Sequence, residues 1–243
     1  MRRAAAFVLS LFVPISAQAA DAVTAPATVS ADGDLPASPI FPKFVLENAL
    51  AEEKLGKADF ARLDKGDVIV LSRPIPKGRE GTHVVAVAVV KGAAQDIFDV
   101  VMDCLGQPEF VPHLTTCKNT YPEGVAPAEA KRYKQYQKLK FGFGFISKSV
   151  EYTNDMFAIR PYVSGWVLDP KNKGDIQDSE GYWRVIPYKD GANILLYDVY
   201  NNPGMAVPDW IQEMLVKSDL PKTVEAMRDR VYALQKSRAG AAH

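Results

Sequence analysis

THVVAVAVVKGAAQDIFDVVMDCLGQPEFVPH, residues 82–113, is the stretch on which the fold turns. Thr82 to Val90 is rich in β-branched residues, the composition of a largely buried strand. Gly92 ends it. From Ala93 to Asp103 the period changes. Ile97, Val100, Val101 and Cys104 fall at i, i+3, i+4 and i+7, one face of a helix. Pro108 and Pro112 stop further helix. The unit is strand, break, helix and Pro-bounded turn.

Upstream, Asp67 to Pro74 reads as a strand, and Pro76, Gly78 and Gly81 mark the turn that leads into Thr82 as a hairpin. Downstream, Thr115 to Tyr121 is the next strand. Lys131 to Phe145 then alternates. Tyr133, Gln135, Gln137, Leu139, Phe141, Phe143 and Phe145 share one face, and Lys134, Tyr136, Lys138, Lys140, Gly142 and Gly144 share the other. Strands follow at 148–153 and 157–169, with Asn154 and Asp155 as the turn between them and Pro161 at an edge or a bulge. Ile176 to Pro187 and Ala192 to Asn201 form a hairpin across Asp190-Gly191. The chain ends in an amphipathic helix interrupted at Pro221, with Trp210, Ile211, Met214, Leu220, Val224, Met227, Val231 and Leu234 as its apolar stripe. Strand runs closed by a long helix predict an α+β domain.

The N-terminus speaks to compartment. Arg2 and Arg3 precede a short apolar run, and Ala17-Gln18-Ala19 is an A-x-A cleavage pattern. Residues 1–19 therefore read as a signal peptide cut after Ala19, and the mature chain as periplasmic or secreted. Residues 20–43 read as a disordered leader, 44–65 as a helical segment, 66–237 as the main domain and 238–243 as a tail. Removing Arg2 and Arg3 takes the 29 basic residues to 27 against 29 acidic, a net of −2. That balance favours neither nucleic acid nor an anionic surface. The cations at Lys131, Arg132, Lys134, Lys138 and Lys140 read as a solvated face.

The segment at 82–113 resembles the opening of START-like, helix-grip domains of the polyketide cyclase, coenzyme-Q-binding and lipid-transport superfamily. Ala93, Phe98, Asp99, Val100, Val101, Asp103, Phe110, Val111 and Pro112 carry the likeness, and the order of elements follows it over about 170 residues to the C-terminus. The resemblance implies a curved antiparallel sheet of about seven strands wrapped round the C-terminal helix. It also implies a cavity for an apolar ligand between the two.

On that reading the cavity is lined by Phe141, Phe143, Phe145, Trp166, Trp183, Met205, Trp210 and Met214, with Tyr133, Gln135 and Gln137 as its polar groups. The alternative is a filled core in which the same rings pack. Cys104 and Cys117, the only cysteines, are candidates for a disulfide in an exported chain or for two buried thiols. Three histidines leave little for metal sites, and no metal, cofactor or catalytic motif is expected. The function implied is carriage of a hydrophobic small molecule such as a lipid, sterol-like or isoprenoid ligand, a role compatible with transient membrane contact. Two others stay open. One is a cyclase or aromatase using His113, Tyr133, Gln135 or Arg160, against which the absence of an acid–base pair counts. The other is an interaction module with a filled core.

Overall fold

In a computed structural model, the structure describes Ser38, Phe41 and residues 55–143, 146–204 and 215–241. Among these residues eight strands form one curved antiparallel sheet. They are β1 (Ile69–Ser72), β2 (Thr82–Lys91), β3 (Leu114–Thr120), β4 (Arg132–Phe143), β5 (Ile146–Ile159), β6 (Val163–Leu168), β7 (Asp178–Pro187) and β8 (Ala192–Asn202). Their order is β1-β2-β8-β7-β6-β5-β4-β3. The helices are α1 (Lys57–Leu63), α2 (Ala94–Met102) and the 22-residue α3 (Leu220–Ala241). A π turn, Leu215–Asp219, leads into α3. Pro221 is the second residue of α3, which follows that π turn directly. The helix continues to Ala241, beyond the end expected at residue 237.

The alternation in each strand divides the sheet into two buried faces. The inner face packs Val84, Ala86, Ala88, Val90, Leu195 and Val199 against Ile97, Val100 and Val101 of α2 and Val224, Met227 and Val231 of α3. The outer face packs Val85, Val87, Phe157, Tyr182, Ile194 and Leu196 against Leu63 of α1, with Phe41, Leu55 and Phe60 alongside. This two-sided burial is why residues 82–90 read as a continuous apolar run. Ser38 Oγ donates to Glu180 at 2.6 Å, and the Phe41 ring sits 5.2 Å from that of Phe157. The stretch expected as a leader thus touches the sheet at both of its described positions.

One strand boundary differs from expectation. β5 runs unbroken through Asn154 and Asp155, and the chain turns instead at Arg160–Tyr162. Asn154 points inward and is buried, while Asp155 pairs outward with Lys134 at 2.6 Å. Two turn-forming residues are thus used in mid-strand, one in a polar interior and one in an ion pair. Pro161, which cannot donate to a ladder, takes the turn.

Cys104 and Cys117 are bonded, which joins the end of α2 to β3.

Candidate functional site

Between the sheet and α2 lies a cavity of about 50 Å³. Its wall is aromatic. The Trp183 and Tyr197 rings stack with centroids 4.0 Å apart, and Trp166 lies 5.9 Å from Tyr197. The Trp166 indole N–H donates to Ser179 Oγ at 3.1 Å, which fixes the ring. Gly181 makes room for it, because a Cβ there would stand 2.5 Å from the Trp166 ring.

Amides form the floor, and they are chained. Tyr152 O–H donates to Gln137 Oε1 at 2.7 Å, Gln137 Nε2 to Gln135 Oε1 at 3.0 Å, and Gln135 Nε2 to Asn119 Oδ1 at 3.1 Å. Asn119 Nδ2 then donates to Tyr121 Oη at 3.0 Å. Gln107 closes another side and is held by its bond to the Val101 carbonyl at 2.8 Å.

Asn154 stands apart. It is only 3% exposed, lines the cavity, and its Oδ1 has no hydrogen-bond partner among the described residues. A buried amide oxygen left unpaired costs about 1–3 kcal/mol, so its place in a cavity marks a position for water or ligand.

Among the described residues the lining carries no charged side chain. Burial pushes the Tyr152 and Tyr197 phenols well above their ordinary pKa, with the neighbouring Tyr197 adding to the shift of Tyr152. Both are neutral hydroxyls at any physiological pH. The site can orient a neutral polar group against an aromatic wall, and its described residues include no acid–base pair.

Gln135 and Gln137, inward by the alternation of β4, and Trp166 and Trp183, expected from the resemblance, come together here. Tyr133 does not. It is buried beside the cavity, its hydroxyl 3.5 Å from Met102 Sδ, and burial pushes its pKa up to about 12. Phe141 is also elsewhere. The β4–β5 hairpin outruns its neighbours: β3 pairs with β4 only as far as Leu139, and β6 with β5 only from Asn154. Phe141 therefore lies on a projecting two-stranded ribbon, 5.0 Å from the His113 ring and away from the cavity. Phe143 pairs with Ile146 near the tip, and its side chain is outside what the structure describes, as are Phe145, Met205, Trp210 and Met214.

The enzyme candidates do not converge. His113 Nε2 meets Asp219 Oδ2 at 3.1 Å, and Arg160 donates to the Pro127 carbonyl at 2.9 Å. Tyr152, Asn154, Ser164, Ser179, Tyr197 and Asn201 are other polar residues of the lining and were not singled out as lining by sequence. A polar residue at an inward position of a strand is their only signature. No cluster of metal-binding side chains occurs among the described residues.

A sheet wrapped round a C-terminal helix, with an enclosed site on its inner face, is the START-like helix-grip fold. The chain is similar in structure to the STAR-related lipid transfer protein of Xanthomonas axonopodis, at 16% identity over 68% of this chain and 93% of that one, with a TM-score of 0.52. It is similar also to human StAR-related lipid transfer protein 5, at 10% identity, 70% and 84% coverage and a TM-score of 0.54. A third likeness is to human STARD10, at 11% identity, 76% and 83% coverage and a TM-score of 0.53. At these identities the likeness is one of fold. No family model and no curated protein matches the sequence.

Proposed function

We propose that this protein is an exported carrier that binds a hydrophobic small molecule of the lipid, sterol-like or isoprenoid kind on the inner face of its sheet. The observation that carries the reading is Asn154, a buried amide with an unpaired oxygen beneath a wall of Trp166, Trp183 and Tyr197. The neutral lining supports binding over turnover, since acid–base chemistry needs titrating groups within reach of the ligand. The lipid-transfer names of the structural neighbours point the same way.

The cavity has room for a few waters and not for a lipid. Loading therefore requires the sheet and helix layers to part. The hinge we propose is Gly204, which follows β8 with φ 67°. A signal peptide at residues 1–19 would deliver the carrier to the periplasm or beyond.

Native mass spectrometry of the mature protein from its own periplasm, with organic extraction of the same sample, tests the reading. A stoichiometric lipid-sized mass shift, weakened in Asn154→Leu while the fold is kept, is the expected result. No bound mass, together with no thermal stabilisation by a lipid panel, overturns it.

A further inference from the structure

The inner face of β4 and β5 changes along its length. Their ladder is paired without a break from Arg132 and Phe157 to Phe143 and Ile146, so alternate residues of each strand keep to one side. On the cavity side β5 carries, in order, Met156, Asn154, Tyr152, Val150 and Lys148. Met156 and Asn154 are buried, Tyr152 and Val150 are partly buried, and Lys148 is exposed. Among the described residues this face is therefore closed at its Met156 end and loses cover towards the ribbon.

Polarity changes in the same direction. Gln135 lies directly opposite Asn154, and one of its two amide hydrogens goes to Asn119. Nearer the ribbon the pairs turn apolar. Leu139 lies opposite Val150, and Phe141 follows on the same side of β4. Asn154 and Val150 are four residues apart on one strand. At about 3.3 Å per residue that is roughly 13 Å.

The unpaired Oδ1 of Asn154 selects the group that enters, because whatever meets it has to donate. A carboxylate or a phosphate offers only acceptors and finds no cation among the described lining residues. An ammonium donates but meets no counter-charge there. A hydroxyl donates to Asn154 Oδ1, accepts from the second amide hydrogen of Gln135, and brings no charge. An apolar chain cannot follow it in. The space holds only a few waters, and a chain would cover amides without bonding them.

Resting on the carrier reading above, we infer that the cargo is an uncharged apolar alcohol bound hydroxyl-first. Asn154 is the residue that sets this preference. The apolar body leaves the cavity past Val150 and Leu139 towards Phe141 on the ribbon, the direction in which the inner face is both apolar and least covered. Fatty acids, phosphate-headed lipids and amines are rejected by the cost of desolvating their charge.

The test is calorimetric binding of decanol, decanoate and decylamine at about pH 8, where one chain carries a neutral, an anionic and a cationic head. Decanol is expected to bind about tenfold or more tighter than either ion. Asn154→Leu should weaken decanol about fivefold, the scale of one neutral hydrogen bond. Asn154→Asp keeps the shape and adds an anion, so decylamine should overtake decanol. Where that buried aspartate unfolds the chain, the leucine variant still decides. Val150→Asp should weaken decanol and Val150→Leu should not. If decanoate or decylamine binds the wild type as tightly as decanol, the alcohol assignment is wrong and the carrier reading stands. Unchanged decanol affinity in Val150→Asp overturns the path along the ribbon. If lipid is extracted from the protein but no probe binds, the alcohol assignment falls alone. If neither lipid nor probe binds, the carrier reading falls with it.

Discussion

His83 and Asp198 form a buried pair on the outer face of the sheet, Nε2 to Oδ1 2.7 Å apart, while His83 Nδ1 lies 3.0 Å from the Pro74 carbonyl. A carbonyl and a carboxylate both accept, so the geometry favours the protonated ring, in which both nitrogens donate. Burial acts to lower its pKa, but the bond and charge of Asp198, with help from Pro74, outweigh burial and the opposing Arg73, so the net shift is upward. A folded value above the unfolded one, about 6.5, gives stability that is fully present below the unfolded value. That stability is lost as pH rises through the folded value. The urea midpoint should therefore fall between pH 6 and pH 9, and His83→Phe should flatten that dependence. The same variant should cost about 3 kcal/mol at low pH, because it leaves Asp198 short of a buried partner. A wild-type midpoint that rises with pH would falsify the charged-ring account.

Gly181 shapes the cavity wall from behind. A Cβ there would stand 2.3 Å from the Asp198 carbonyl oxygen as well as 2.5 Å from the Trp166 ring. Gly181→Ala should cost about 1–3 kcal/mol as an overpacked core substitution. It should also displace Trp166 into the cavity. Thermal unfolding reads the first effect and ligand titration the second; an unchanged affinity in a folded variant would separate Trp166 from the site.

The Cys104–Cys117 bond closes a loop of sequence separation 13. On the loop-entropy model its loss should cost about 3 kcal/mol. Urea unfolding with and without reductant, alongside the double Cys→Ala variant, measures this. Equal midpoints in all three samples would show that the crosslink contributes nothing.

His113 holds a positive φ of 63° and reaches Asp219 at the start of α3. The pair is partly exposed, so His113→Gly, which also relieves the backbone, should change global stability by less than about 1 kcal/mol. Its effect should be local. Hydrogen exchange should accelerate severalfold in the first turn of α3 and not in β2 or β8. Uniform acceleration would mean the contact supports the whole domain and not the docking of that helix end.

Much of this architecture was legible because burial imposes a period. The alternation of β4 placed Gln135 and Gln137 inward, and the all-apolar β2 announced a sheet covered on both sides. Trp166 and Trp183 were placed at the cavity through the family resemblance, as aromatics in strands of the same sheet. What sequence could not show follows from context. Asn154 and Asp155 have turn chemistry, but β5 uses one in a polar interior and the other in an ion pair with Lys134. Phe141 keeps the expected phase of its strand, yet that strand extends past its neighbours, so among the described residues it does not border the cavity. Tyr152 and Tyr197 gave no signal because a tyrosine at an inward strand position reads as packing, whether or not its hydroxyl reaches a ligand.

The stacking of Trp183 on Tyr197, with Trp166 beside them, has an optical consequence. Two of the three tryptophans in the chain border the cavity. Their emission and near-ultraviolet dichroism depend on what occupies the space between them. The chain therefore carries its own reporter of what enters that space, readable in real time without a dye.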